Sequence, residues 1–308
     1  MKIDLHIHSH LSDGEDSVAD LVSKVKTAGL DVFALTDHDR TDGWAEAAKL
    51  ALANCLTFIP GVEITTEGRA KDSNGITHTF GLHLLAYLPD PNNTELQELL
   101  ESNRDSRIIR TKKFVDRIQV DFPALTFELV ESIAEAGSTL GRPDIARALI
   151  QLGVVGSVDE AFKGKSGQFG ILSKQNVKYY VPNSAPFVLD VIAIVRKAGG
   201  VPVIAHPLAR TSSEDDQPET FPRTNFITMV EAGLLGLETS HSEVKPSTKI
   251  ILDAFAKEFG LITTGSSDYH GLNTKENNPL GLFMTDPEML KRIIAEGSGT
   301  APTLSHQL

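Results

Sequence analysis

The sequence predicts an α/β fold, a parallel sheet or barrel with helical connections, broken once by a mostly helical insertion. Three observations carry this. Apolar strand-like runs alternate with amphipathic helical runs across short connectors, the signature of β/α units. Five of the apolar runs end on ionisable residues: 3–7 before His8, 32–36 before Asp37-His38, 56–62 before Glu63, 201–205 before His206-Pro207, and 261–267 before Asp268-Tyr269-His270. Between 93 and 186 the rhythm is lost, and helical segments follow one another with no strand between them.

Taken in order, the first strand alternates Ile3, Leu5 and Ile7 with Asp4, His6 and His8, so both histidines leave from one face. Ser12-Asp13-Gly14 are turn formers that end it and leave Asp13 beside them. A helix at 17–28 buries Val18, Leu21, Val22 and Val25 and stops at Gly29. The strand at 32–36 ends on Thr36-Asp37-His38-Asp39, and a helix from 42 or 43 to 54 spaces Trp44, Ala47, Ala48 and Ala51 for burial. A third strand ends at Glu63. The stretch 66–77 is polar and contains glycine, a loop or hairpin tip, and 79–88 is a strand carrying His83. The insertion opens with a long charged helix at 94–120, followed by short helices at 127–135, 143–152 and 158–163. The rhythm resumes with a helix at 186–198, a strand at 201–205, a helix at 226–232, a strand at 236–240, a helix at 247–259 and a strand at 261–264. The acidic, Ser- and Pro-containing stretch 211–222 reads as a mobile loop. The expected division is a barrel from 1–92 and 187–308 and an insertion at 93–186.

Length and composition bound the rest. A chain of 308 residues with 41% hydrophobic content suits one large domain, or one domain plus an insertion. No apolar run approaches the roughly 20 residues of a membrane span, and the opening residues lead straight into strand without a signal peptide, so the expectation is a cytoplasmic chain with no membrane partner. The one cysteine, Cys55, excludes disulfides and thiolate metal sites and reads as a packing residue at a helix end. With 41 acidic against 29 basic residues and a net charge of -12, the overall field repels polyanions, which argues against a grip on long nucleic acid and favours a small or short substrate.

A lone His-x-His is more often a bystander than a ligand pair; recurrence at strand ends overturns that reading here. In a parallel barrel the carboxyl ends of the strands form one face, where sites are built. Collected there are His6, His8, Asp13, His38, Glu63, His83, His206, Asp268 and His270, nine groups of which six are imidazoles. A nitrogen- and oxygen-rich set without sulfur suits Zn, Mn or Fe rather than Ca or Mg. Nine ligands exceed one ion, whereas two or three divalent ions sharing a carboxylate use the set.

These residues resemble a known family. His6-x-His8, Asp37-His38, Glu63, Ala205-His206-Pro207 and Ser267-Asp268-Tyr269-His270 look like the motifs of the polymerase and histidinol phosphatase (PHP) domain, whose members are metal-dependent phosphoesterases. The helical insertion with Gly141-Arg142-Pro143-Asp144 is similar to the branch containing 3′,5′-nucleotide bisphosphate phosphatases and short-RNA 5′-3′ exonucleases. The resemblance implies a distorted seven-stranded (β/α)7 TIM-like barrel. It implies one ion on His6, His8, Glu63 and Asp268, a second on Asp13, His38 and His270, and a third on Glu63, His83 and His206, with Glu63 bridging. Asp13 stands where some members carry histidine, and Asp144 replaces the histidine of the family's Gly-Arg-Pro-His.

The chemistry so implied is hydrolysis of a phosphate ester, in which divalent ions neutralise the phosphoryl oxygens, activate water and hold attacking and leaving oxygens in line. Asp13 and Glu63 are the expected catalytic carboxylates. Arg142 reads either as a surface salt bridge or as a bidentate contact to a second phosphate, and the resemblance favours the second. Lys178 is a further phosphate candidate. His241 is read as a leaving-group acid or substrate contact, or else as a satisfied surface histidine. His10, His78 and His306 are read as bystanders. The expected substrate is a small phosphorylated molecule: the 3′-phosphate of a nucleoside 3′,5′-bisphosphate or the 5′ end of very short RNA, with histidinol phosphate or a cyclic phosphodiester as the alternative. A non-enzymatic metal-binding module is disfavoured because every ligand position is filled.

Overall fold

Seven strands form one sheet in sequence order: β1 (Ile3–Ile7), β2 (Val32–Leu35), β3 (Thr57–Lys71), β4 (Thr77–Tyr87), β5 (Val201–Ile204), β6 (Gly236–Ser240) and β7 (Ile262–Gly265). The structure is a computed structural model that describes residues 1–71, 77–134, 139–165, 168–207 and 223–305. Just beyond β7, Tyr269 bridges back to Ile7, its carbonyl accepting from His8 N–H at 2.9 Å, so the sheet curls into a nearly closed barrel. The helices are α1 (Val18–Thr27), α2 (Trp44–Ala53), α3 (Thr94–Gln119), α4 (Phe127–Ile133), α5 (Arg142–Gln151), α6 (Val158–Lys163), α7 (Val188–Lys197), α8 (Arg223–Glu231), α9 (Pro246–Glu258) and α10 (Pro287–Glu296). The stretch 211–222 lies outside the described residues. No helix among the described residues is long and apolar enough to cross a membrane.

The sheet is not all parallel. β4 runs antiparallel to both β3 and β5, while the other neighbours are parallel. β3 continues well past Glu63 to Lys71, and its partner starts at Thr77, so the polar stretch is mostly a hairpin arm rather than a loop. Arg69, Thr77, Thr79, Phe80 and Gly81 on that arm are exposed. A ladder standing clear of the core lacks the apolar alternation that betrays a half-buried strand.

β1 departs from simple alternation. Ile3 and Leu5 join an inner apolar cluster with Val32, Ala34, Ile59, Leu85, Tyr87, Val201, Val203 and Ile262, whereas Ile7 packs in the outer cluster with α1, α2 and α7. A register shift against β2 between Asp4 and Ile7 makes the switch. The inner cluster sits at the amino-terminal mouth of the barrel, where Leu290 and Ile293 of α10 close it. Burying each of these two is worth about 1.5–3 kcal/mol. α10 itself was not expected from the sequence, although Asp286 caps it and proline follows, a usable start signal.

The insertion carries its own apolar cluster, which includes Phe114, Val115 and Ile118 of α3, Val130 of α4, Ile145 and Leu149 of α5, and Val181. The first turns of α3 pack elsewhere, Leu96 and Leu100 joining the barrel's outer cluster, so one helix belongs to both cores. Cys55 is exposed in a left-handed turn (φ 56°) after α2 ends, and so is not the packing residue expected.

Candidate metal centre and active site

Loop geometry brings the ligands together. After β1 the chain turns back, Ser12 and Gly14 N–H groups donating to Ser9 O at 3.1 and 3.0 Å. A Cβ on Gly14 would meet His8 O at 2.5 Å, so the turn closes only with glycine there and swings Asp13 over His8. Asp37 fastens this loop by accepting from Ser9 N–H at 2.8 Å, Ser9 Oγ at 2.7 Å and Ser12 Oγ at 2.6 Å. Three non-glycine residues at the site, Asp39 (φ 54°), His206 (φ 29°) and Asp268 (φ 51°), hold left-handed backbones, a strain that the surrounding bonds must sustain.

Glu63 is the hub. Its Oε2 lies 3.1 Å from His6 Nε2, 3.1 Å from His8 Nε2 and 3.3 Å from His38 Nδ1, and its Oε1 lies 2.8 Å from His83 Nδ1 and 3.2 Å from His206 Nε2. Asp268 Oδ1 faces His6 Nε2 and His8 Nε2 at 3.4 Å each. Asp13 faces His270 Nε2 at 3.1 Å and His38 Nε2 at 3.7 Å. The structure thus brings all nine expected ligands together. Three groups among them could hold an ion: His6, His8, Glu63 and Asp268; His8, Asp13, His38 and His270; and His38, Glu63 and His83. The last takes His38 where His206 was expected.

The donor set fits divalent ions. His38 Nδ1 is buried without a hydrogen-bond partner, a lone nitrogen aimed at Glu63 and out of line for a hydrogen bond. Glu238 Oε1 is 3.1 Å from His6 Nδ1 and also accepts from Ser266 Oγ, which assigns the His6 proton to Nδ1 and leaves Nε2 as a bare donor. Burial alone would raise the carboxyls; His38, His6 and His83 instead carry Glu63 well below its ordinary range, and His270 and His38 do the same for Asp13. Asp268, despite burial, is held well below the usual value by Lys275 and His270. Burial disfavours the His8 imidazolium, yet hydrogen bonds to Asp268 and Glu63 lift it to about 9. All three carboxylates therefore stand ready as anionic ligands.

β4 brings His83 in by a different route from the other ligands. Being antiparallel, it approaches the centre from above, and His83 lies opposite Thr65 in the ladder, two residues beyond Glu63. The site opens into a cleft of about 1200 Å³ shared by the barrel rim and the insertion, lined by Asp13, His38, Glu63, His83, His206, Asp268 and His270 and by Arg107, Arg110, Arg142, Lys174 and Lys275.

The expected substrate residues divide. Arg142 lines the cleft, with Nη1 donating to Leu172 O at 3.2 Å and the guanidinium 5.1 Å from the Phe162 ring. Lys178 pairs with Asp121 at 2.6 Å, is 60% exposed and is not part of the cleft wall. His241 is fully buried behind Asp268, to whose Oδ2 its Nε2 donates at 3.2 Å, while its Nδ1 accepts from Glu243 N–H at 3.1 Å. Both ring nitrogens are engaged and the side chain is buried, so His241 faces Asp268 and is not part of the cleft wall. Asp144 is also withdrawn, its carboxylate capping α5 through Gly141 N–H at 2.8 Å and pairing with Arg147 at 2.9 Å.

Sequence reasoning missed Glu238, Lys275, Arg107 and Asp39. Glu238 had a signal, a lone carboxylate inside a short strand. Asp39 had one too, standing directly after His38. Arg107 and Lys275, on a charged helix and a polar loop, had none.

Comparison with known proteins agrees with this geometry. A family model described as the PHP domain matches residues 4–182. A 5′-3′ exoribonuclease of Haemophilus influenzae is 29% identical over 87% of this chain and 90% of the relative. A 3′,5′-nucleoside bisphosphate phosphatase of Chromobacterium violaceum is 27% identical over 87% of each. The crystal structure of an inferred metal-dependent phosphoesterase from Bifidobacterium adolescentis superposes with a TM-score of 0.80 at 32% identity, covering 96% of both chains.

Proposed function

The chain belongs to the PHP domain family of metal-dependent phosphoesterases, and from that premise we propose that it removes phosphate from a nucleotide, taking the 3′-phosphate of a nucleoside 3′,5′-bisphosphate or cleaving at the 5′ end of very short RNA. The observation that carries this reading is the cleft itself: a floor to which seven of the nine converging ligand candidates contribute, beneath an insertion wall bearing Arg110, Arg142 and Lys174. A substrate with one phosphate at the floor and a second at the wall uses both.

In this reading His6, His8, Glu63 and Asp268 would hold one divalent ion of Mn, Fe or Zn, Asp13, His38 and His270 a second, and Glu63, His83 and His206 a third where three are bound. Such ions would supply the Lewis acidity that lowers the pKa of water toward neutrality and offsets phosphoryl charge. The chain does the rest. Glu63 belongs to two of the three ligand groups, so its one carboxylate ties those two together. Glu238 and His241 fix His6 and Asp268 from behind. Asp13, a carboxylate on the cleft wall with some surface open, is the group placed to accept a proton from attacking water. Arg142 holds the phosphate that does not react. The barrel of 1–92 and 187–308 supplies the reacting centre, and the insertion of 93–186 supplies recognition.

A phosphate-release screen with Mn2+ over nucleoside bisphosphates, mononucleotides, short oligonucleotides and histidinol phosphate tests the reading. Highest kcat/KM on a 3′,5′-bisphosphate or a short oligonucleotide is expected. Preference for histidinol phosphate or for plain mononucleotides would overturn it.

A further inference from the structure

Asp39 directly follows His38, and its buried carboxylate serves four donors. Oδ1 accepts from Thr65 N–H at 2.9 Å and Asn103 Nδ2 at 2.7 Å; Oδ2 accepts from Thr65 Oγ1 at 2.7 Å and Arg107 Nε at 3.1 Å. Asn103 and Arg107 stand one turn apart on α3 and so share a face. Arg107 Nη2 donates in addition to Thr65 Oγ1 at 2.6 Å. The guanidinium is thereby pinned at two of its three nitrogens. Nη1 makes no hydrogen bond to the described residues, and Arg107 lines the cleft.

Its anchor fixes where that nitrogen stands. Thr65 shares a strand face with Glu63, two residues or about 7 Å along β3, and lies directly opposite His83. Arg107 therefore joins the cleft wall from the Thr65 side, in the same cleft as His38, Glu63 and His83, whereas Arg142 reaches it from α5. A salt-bridge strut between helix and barrel would use the same two anchors but would not need a third nitrogen facing the cleft.

We propose that Arg107 is a catalytic residue whose Nη1–H donates to an oxygen of the reacting phosphoryl group, distinct from the second-phosphate contact assigned to Arg142. A donor locked by Asp39 and Thr65 is already oriented for the charge that develops on that oxygen, so no reorganisation is needed during reaction. The proposal rests on the phosphoesterase reading of the cleft and not on the nucleotide, so inorganic phosphate and p-nitrophenyl phosphate carry its test, and a nucleoside bisphosphate serves only to separate this role from that of Arg142.

The test uses Mn-loaded wild type, Arg107→Gln and Arg107→Lys, with inorganic phosphate as the binding probe and p-nitrophenyl phosphate as a minimal substrate. Arg107→Gln should weaken phosphate binding by roughly 10- to 100-fold, the range for one charge-assisted hydrogen bond. Turnover of p-nitrophenyl phosphate and of a nucleoside bisphosphate should fall together, with ions per chain unchanged. Unchanged phosphate affinity would overturn the proposal. So would parallel loss of metal, which would make Arg107 a strut acting through Asp39 and His38, and so would a loss confined to the bisphosphate, which would move it to the second phosphate. Should Arg107→Gln not fold, Arg107→Lys keeps a charge against Asp39; an ammonium cannot serve Asp39, Thr65 and an anion at once, so phosphate binding should still weaken several-fold. Wild-type phosphate affinity in that variant would also overturn the proposal.

Discussion

Glu63 meets five imidazoles at 2.8–3.3 Å from its two oxygens, so removing its charge should disturb more than one ion. Glu63→Gln is expected to abolish turnover and lower the ion count in elemental analysis; full activity would remove the bridging assignment. Glu238 touches no substrate, yet it sets which nitrogen of His6 is bare. Loss of such a partner typically costs 10- to 100-fold in metal affinity, so Glu238→Gln should weaken metal binding by about that factor in a competition titration, with the fold intact by circular dichroism. Arg142→Ala should lose about 1.5–3 kcal/mol of transition-state binding, roughly 10- to 150-fold in kcat/KM, on a bisphosphate and much less on p-nitrophenyl phosphate. Equal losses on both substrates would place Arg142 at the reacting phosphate.

At the scale of elements, the α5 start couples the insertion to the metal centre. Asp144 caps the helix and orients Arg147, whose Nη2 donates to Asp13 O at 3.1 Å and so steadies a ligand loop of the barrel. The position where the family's motif carries histidine is therefore occupied here by a structural carboxylate. Asp144→Ala removes the acceptor of the Gly141 N–H, a charge-assisted bond worth about 1.5–3 kcal/mol, and frees Arg147. The denaturant midpoint should fall with little change in slope, and the ion near Asp13 should be lost before the one near His6. Loss of stability with all ions retained would confine Asp144 to capping.

At the scale of the whole molecule, acidity should act oppositely on the metal-free and metal-loaded chain. His8 stands at about 9 in the folded, metal-free chain against an ordinary 6.5, so it contributes stability that is complete below about 6.5 and is lost as pH rises through about 9. Glu238 stands at about 2 against 4.5, so its contribution is complete above about 4.5 and is lost as pH falls through about 2. An ion on His8 must displace that proton, so metal affinity should rise between pH 6.5 and 9. Thermal scans of EDTA-treated protein should show Tm falling across this window, while the increment produced by Mn2+ grows. An increment independent of pH would argue that His8 is not a ligand.

The amino-acid order alone determined the alternation of strands and helices, the helical break after β4, and the nine His, Asp and Glu side chains that the structure gathers at one centre, because each strand-end motif is local and period-based. The same local logic located the ends of α6 and β6 and came within one residue of both ends of α1. It could not determine the direction of β4, since a hairpin arm outside the core carries no apolar alternation, nor the register shift in β1 that divides its apolar residues between two clusters. Only the tertiary structure decided that His241 is buried behind Asp268, that Lys178 pairs away from the cleft, and that Arg107 and Lys275 line it. Those roles depend on which groups a side chain meets across long sequence separations, and charge carried on a helix face or a polar loop has no local pattern from which that partner can be read.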